Sequence, residues 1–542
     1  MTTSILPRSV DFSDRDFSSL SLRLQGLIRS VFPDWTDFNT ANFGNILLEM
    51  MSYVGDTLHF YQDNQASECF LPIVSQRLSM IRLGRLIDYS LPGASAGTGT
   101  VRFTITQVNP TSQLVIPKGT RLQISDPEQP TVFQTLTRTV VPAGGSYADI
   151  AVEQSETRVE SFDSTGEPNI ELILSFAPYL DGSLDSVERD GSTLIFGLSA
   201  GNGDYSRVDS LLGHSASDRV FAVIVDHIDR CHLMFGNGAV GAIPQGEINT
   251  AYKIGGGVVG NVEVGKISIL AETLAFDDGV SASVVVTNLA ATSGGADRIS
   301  VDEARVQAPA SLRLLKRCVA RDDFETTARS VRGVARALMA TSNEYVGIPE
   351  NTGQLRIVAQ GAKLTSGRIK PAPPSSTLLI QVYNEIMNNK PPTVTFTFEV
   401  ISADFLDVSV KTRVYIRRGH SPTVVGAAIY ANLEDFFAAQ LATGLDNPDI
   451  DFGAKLMMQY ANWQGTYWSG LARTDVPLPE LIWSDVFNVI RDTNGVRKVD
   501  EGQSGLLLNQ RRQSLTLTPV QFPRLVGNPE IYDADTDSQI FP

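Results

Sequence analysis

Two stretches have the spacing of a phosphate-cradling glycine loop: Gly236, Gly238 and Gly241, then Gly255, Gly257 and Gly260. That spacing holds a pyrophosphate only when a helix opens directly after the last glycine, because the N–H groups of its first turn bind the anion. Here Ala-Ile-Pro-Gln-Gly and Asn-Val-Glu-Val-Gly follow, which read as turn and strand. Gly93, Ser95 and Gly97 fit a nucleophile elbow, but an elbow joins a strand to a helix. This one joins a helix to a strand and reads as a linker. Of the five histidines, His227 and His232 sit near Asp226 and Cys231. The five-residue step would place the two rings on opposite faces of a strand, where they cannot share a metal. Asp533, Asp535 and Asp537 begin like a calcium loop, yet Ser538 stands where the loop needs glycine. These residues predict no catalytic, cofactor-binding or metal site, and a non-enzymatic protein.

Composition narrows the classes further. At 542 residues the chain exceeds the roughly 250–300 at which single cores stop growing, so about three or four domains are expected. The formal charge of −16 and the absence of any basic run longer than Arg417-Arg418 or Arg511-Arg512 argue against direct nucleic-acid binding. Three scattered cysteines (Cys69, Cys231, Cys318) form no disulfide framework or zinc ribbon and fit folding in a reducing cytoplasm. No signal-like segment opens the sequence, and no run nears the ~18 apolar residues of a membrane span.

The elements follow from periodicity. Residues 1–92 read as helical. Ser13 with Asp16 resembles a capping box. Phe17, Leu20, Leu24, Leu27 and Val31 then fall at spacings of 3, 4, 3, 4, an apolar seam ending before Pro33. A second helix is expected over 41–62 after an Asn39-Thr40 cap, with Phe43, Leu47, Met50 and Val54 in a wide stripe. A third is expected over 74–88. The surplus of apolar surface points to contacts with other chains. At Leu91-Pro92-Gly93 the period changes to alternation. Residues 93–286 read as one or two all-β domains, with Val101, Phe103 and Ile105 facing one way and residues 114–122 as strand, turn, strand. A helix capped by Ser300 and Glu303 should kink or restart at Pro309. Two related α/β units are expected at 287–402 and 403–518. They share the order helix, Gly-Val, basic strand, at Gly333-Val334 and Gly495-Val496. Residues 361–376 read as an exposed loop, and 519–542 as an extended acidic tail. The fold class is thus multidomain α+β: a helical bundle segment, central all-β domains and C-terminal α/β pairing units.

Four segments together resemble the baseplate J-like family: 37–72, 114–122, 232–267 (HLMFGNGAVGAIPQGEINTAYKIGGGVVGNVEVGKI) and 288–337, the last with Gly294-Gly295-Ala296-Asp297 and its capped helix. The resemblance implies a virion or injection-particle protein of the inner baseplate ring in contractile tails, assembled in the bacterial cytoplasm. It implies as partners a second copy, other wedge proteins, and sheath-initiator or hub-side proteins, met through an N-terminal helical bundle and through α/β units that close the ring. Nucleic acid and membrane insertion are not expected. Phe17, Leu20, Leu24, Leu27, Val31, Phe43, Leu47, Met50 and Val54 are the expected interface. The competing readings are a β-rich tail-associated hydrolase or carbohydrate binder, and the matching subunit of a type VI secretion system.

Overall fold

The structure is a computed structural model describing residues 16–39, 42–87, 89–124, 131–190, 193–313, 317–342, 348–458, 480–502 and 505–541. It is a multidomain α+β protein. The chain divides into two compact units, one of Met1–Leu91 with Ser300–Leu312, the other of the remainder.

In the first unit, helices Phe17–Val31, Phe43–Ser67 and Arg77–Leu86 are joined by a fourth from far downstream, Val301–Arg313. Residues 300–312 therefore pack with the N-terminal helices and not with the first α/β unit. Arg305 Nε donates to the Val74 carbonyl at 2.7 Å, and the Tyr89 hydroxyl reaches Gln307. The helix runs unbroken through Pro309 and does not restart there. Asp16 holds the N-cap position of the first helix. The expected cap partner Ser13 lies outside the described residues, as does Thr40. The second helix is capped instead by Asn42, whose side chain accepts from Gly44 N.

In the second unit, Val101, Phe103 and Ile105 alternate into the core of a six-stranded sheet. Its order is Ile267–Leu270, Arg121–Ile124, Val132–Thr135, Tyr147–Glu153, Thr98–Ile105, Val284–Asn288. Its two edges are strapped by buried Asn288. That side chain accepts from Ile267 N and donates to the Glu263 and Ala290 carbonyls. Residues 114–122 are strand, turn, strand as expected, with Leu114–Ile116 pairing to Thr139–Val141 in a separate sheet and Arg121–Ile124 in this one. A second β layer is nested inside the first, between Glu153 and Ile267. It can be nested because its first and last residues, Ser155 and Gly255, are register partners that bring the chain back to where it left. Its own core is aromatic, with Tyr205, Phe221, Phe235 and Tyr252 fully buried.

The α/β region departs most from expectation. The segment 361–376 is not a loop: strand Thr352–Lys363 runs into it and Ile369–Ala372 returns antiparallel. Strand Val334–Thr341 is buried on both faces. Ala337 and Met339 pack with helices Arg321–Ser330 and Ser376–Asn389, while Leu338 and Ala340 join a core that extends to Ile540. The two α/β units are therefore not separate bodies. Arg336 locks them: its buried guanidinium reaches Asp446 at 2.8 Å, Asp451 at 3.3 Å and the carbonyls of Ala439, Asn447 and Ile450. All its donors are used, which is the condition for a buried charge to be tolerated. The expected likeness of the two units does show at Gly333 and Gly495, which turn helix into strand at φ of +92° and +91°.

The expected tail is also part of this core. Gln521–Leu525 pairs parallel with Asp404–Val408, and Glu530–Asp533 pairs parallel with Val410–Ile416. Phe522 and Ile531 are fully buried. Composition misled here because Pro519, Pro529, Asp535 and Asp537 sit between short strands, while the apolar residues that anchor those strands are few. Truncating Phe522 to Ala should cost about 3–5 kcal/mol in denaturant unfolding; a loss under about 1 kcal/mol would show that these strands are not integral.

Three glycine-bearing segments singled out above converge at one place. The Ser95 amide donates to the Ala296 carbonyl at 2.9 Å, and the Ser95 hydroxyl to the Gly294 carbonyl at 2.9 Å. Gly257 N donates to the Ser95 carbonyl. Asn261 pairs its amide with both the N–H and the C=O of Gly295, and also donates to Gly361. A Cβ on Gly295 would lie 2.5 Å from the Gly257 oxygen. Asp297 caps Val258 N and pairs with Lys363 at 3.0 Å. Burial raises the Asp297 pKa, but Val258 N and Lys363 outweigh it and hold the carboxyl below its ordinary value. Gly333 presses on Gly294 so closely that a Cβ would overlap the Gly294 oxygen. Gly333→Ala therefore combines positive-φ strain with a clash. We expect it to lower stability by about 2–4 kcal/mol. Gly119→Ala, also at positive φ but in open space, should cost only about 1 kcal/mol. Equal losses in thermal melts would refute the clash.

Candidate assembly interface

The first two helices pack against each other, and the second turns its small and polar side chains inward. The first helix has no buried residue. The second buries only Asn45, Ser52 and Ser67. Between them, Asp56 accepts from Phe17 N at 3.2 Å, Gln25 reaches Asn45 at 3.4 Å, and Leu20 lies against Gly55. A Cβ on Gly55 would be 3.1 Å from Leu20 Cδ1, so the glycine sets how near the helices come.

The connection is built by residues that the periodicity did not single out. Trp35 fills the space over Gly44, donates to the Asp37 carbonyl, and stacks near Phe38. Arg29 lies 4.6 Å over the Phe38 ring. The Asp37 carboxyl is held below its ordinary value by the Asn42 side chain and then by Asn39 N. A Trp-x-Asp-Phe-Asn run after a proline was the available signal.

The large apolar side chains are left outside. Phe43 is 74% exposed, Met50 60% and Val54 54%, and Leu47, Phe17, Leu27 and Val31 are exposed with them. Leu20 and Leu24 are half-buried, so the structure splits the seam expected on the first helix: these two turn toward the chain itself and the other three toward solvent. On the second helix, ten large apolar residues between Phe43 and Tyr61 are exposed. At 100° per residue they span about 180° of its circumference, wider than the ≳100° stripe that a surface helix needs to meet one core. No helix among the described residues is long and apolar enough to cross a membrane.

Residues 16–86 match the family model of the bacteriophage baseplate protein, N-terminal domain. This match, over the segment that carries the exposed face, supports a baseplate protein. No curated protein matches the chain. A solved structure titled "Cryo-EM structure of the anti-feeding prophage (AFP) baseplate, 6-fold symmetrised" aligns over 96% of this chain and 100% of that one, at 10% identity and a TM-score of 0.34, a likeness too low to support an argument.

The other residues considered for chemistry lie elsewhere. Gly236, Gly238 and Gly241 shape a tight turn in which Asn237 accepts from the amides of Ala239 and Val240. His227 is in a hairpin turn and not on a strand, and its carbonyl accepts from Arg298. His232 Nδ1 faces Glu171 at 2.7 Å and Nε2 faces Asp226 at 3.3 Å, so the two carboxylates lie on opposite ring nitrogens and do not converge on one point. Burial pushes the Cys231 thiol up to about 12, which keeps it an unreactive core residue. Asp533 accepts from Asp535 N and Thr536 Oγ1 and builds the last turn, and Asp537 pairs with Arg413. Among the described residues no group of three metal-ligating side chains comes together.

Because the apolar face is not part of the chain's own core, Met50→Gln with Val54→Gln should leave the unfolding free energy of the isolated chain within about 0.5 kcal/mol per site. Binding of a hydrophobic dye should fall. A loss of several kcal/mol would mean that the face is already covered.

Proposed function

We propose that this chain is a structural component of the inner baseplate ring of a contractile tail or related injection particle. In this reading it links neighbouring wedges and passes on the conformational change that releases sheath contraction. The observation that carries the reading is the unpartnered apolar face of helix Phe43–Ser67, inside the segment that matches a baseplate N-terminal domain. A folded chain that leaves so much apolar surface open is half of an interface. The nine residues Phe17, Leu20, Leu24, Leu27, Val31, Phe43, Leu47, Met50 and Val54 contribute to a bundle with a second copy and with other wedge proteins. Leu20 and Leu24 act indirectly, by seating the first helix on the second. The α/β region is the ring-closing body. Sheath-initiator or hub-side proteins are further partners in the particle.

Coexpression with the neighbouring tail genes, followed by electron microscopy, tests this. Wild-type protein should enter wedges and rings. Met50→Asp with Val54→Asp should keep its melting temperature yet stay out of every assembly. Rings of normal appearance from that variant, or wild-type protein that stays monomeric among all tail proteins, would defeat the proposal.

A further inference from the structure

The apolar face has one charged border, and the border is of one sign. From Ser30 to Gln76 the sequence holds six acidic residues and no lysine or arginine. Three of the six, Glu49, Asp56 and Asp63, are seven residues apart. They therefore form a straight row along helix Phe43–Ser67. On a helical wheel this row flanks the edge of the apolar arc nearest Phe60. All three are partly exposed. Asp56 gives one oxygen to Phe17 N, and Glu49 accepts from Asn45.

Resting on the bundle reading above, we infer that this face is covered by two helices, and that the one along the acidic row comes from a different chain and carries Lys or Arg at seven-residue intervals. Two helices are required because the apolar arc of about 180° is wider than a single coiled-coil seam can bury. Basic residues are required because like charges held opposite one another across an interface cost several kcal/mol, whereas opposite charges speed and orient docking. The described N-terminal helices of a second copy do not meet the pattern. Its matching helix is acidic. On its first helix, Arg23 and Arg29 are six residues apart, which puts them about 120° apart around the cylinder and off any one edge. On helix Arg77–Leu86, Arg77, Arg82 and Arg85 are five and three apart, again without the interval of seven.

Two synthetic 25-residue helical peptides test this against the full-length chain. They share one apolar seam and differ only in carrying Lys or Glu at every seventh border position. The Lys peptide should bind about tenfold more tightly at low salt, and the gap should close as salt screens it. In Glu49→Lys with Asp63→Lys the preference should reverse; Asp56 is left intact because it also holds the first helix. Equal binding of the two peptides, binding of neither, or a dimer in sedimentation that blocks both would overturn the inference. The bundle reading stands or falls separately, on the coexpression experiment. A charge preference without assembly would sink the baseplate role alone, and assembly without a charge preference would sink only the basic-partner rule.

Discussion

Gly295 has no room for a side chain, and the architecture of the larger unit depends on that fact. Its amide and carbonyl are both held by Asn261, its Cα faces the Gly257 backbone, and its neighbours Gly294 and Asp297 are bonded to Ser95, Val258 and Lys363. The same few residues thus touch the first β sheet through Thr98, the nested β layer through Arg298 with Asp229, and the α/β sheet through Gln360. Backbone packed on backbone leaves little for side chains to adjust, so the cores around it are held in one arrangement. The interactions are hydrogen bonds to buried peptide groups, each modest when made and expensive when broken.

The α/β region repeats this logic with charge. Arg336 is a buried cation whose partners come from a loop about a hundred residues away, and Arg356 with Asp404 and Lys455 with Glu325 bridge the same two halves. Removing one partner of such a set leaves an unpaired charge in the core, which is the costly case. A body fused in this way is suited to carrying load as a piece.

The N-terminal helices are built the opposite way. Their mutual contact sets Leu20 against Gly55, Gln25 against Asn45 and Asp56 against Phe17 N, and it leaves most of their large apolar side chains outside. Full burial of a large apolar side chain is worth about 1.5–3 kcal/mol. Ten such side chains, each still more than a third exposed, hold on the order of 10 kcal/mol in reserve. That is comparable with the roughly 4–15 kcal/mol that association costs, so a partner gains a stable hold only by covering most of the face at once.

Periodicity and turn chemistry were enough to place the N-terminal helices, the alternation of Val101, Phe103 and Ile105, and the helix-to-strand turns at Gly333 and Gly495, because each is local and set by neighbours within a few residues. The same local rules set the glycine, histidine and aspartate patterns in contexts that lack the flanking elements their chemistry needs. They also showed that the N-terminal helices carry more apolar surface than three short helices can hide. What they could not supply was pairing across distance. That residues 300–312 join the N-terminal helices, that 521–541 are core strands, that 155–255 nest inside another sheet, and that Leu20 and Leu24 face inward while Val31 faces out all depend on which segments meet in space. Register and packing decide those meetings over separations from a few tens of residues to more than two hundred, beyond the reach of any local window of sequence.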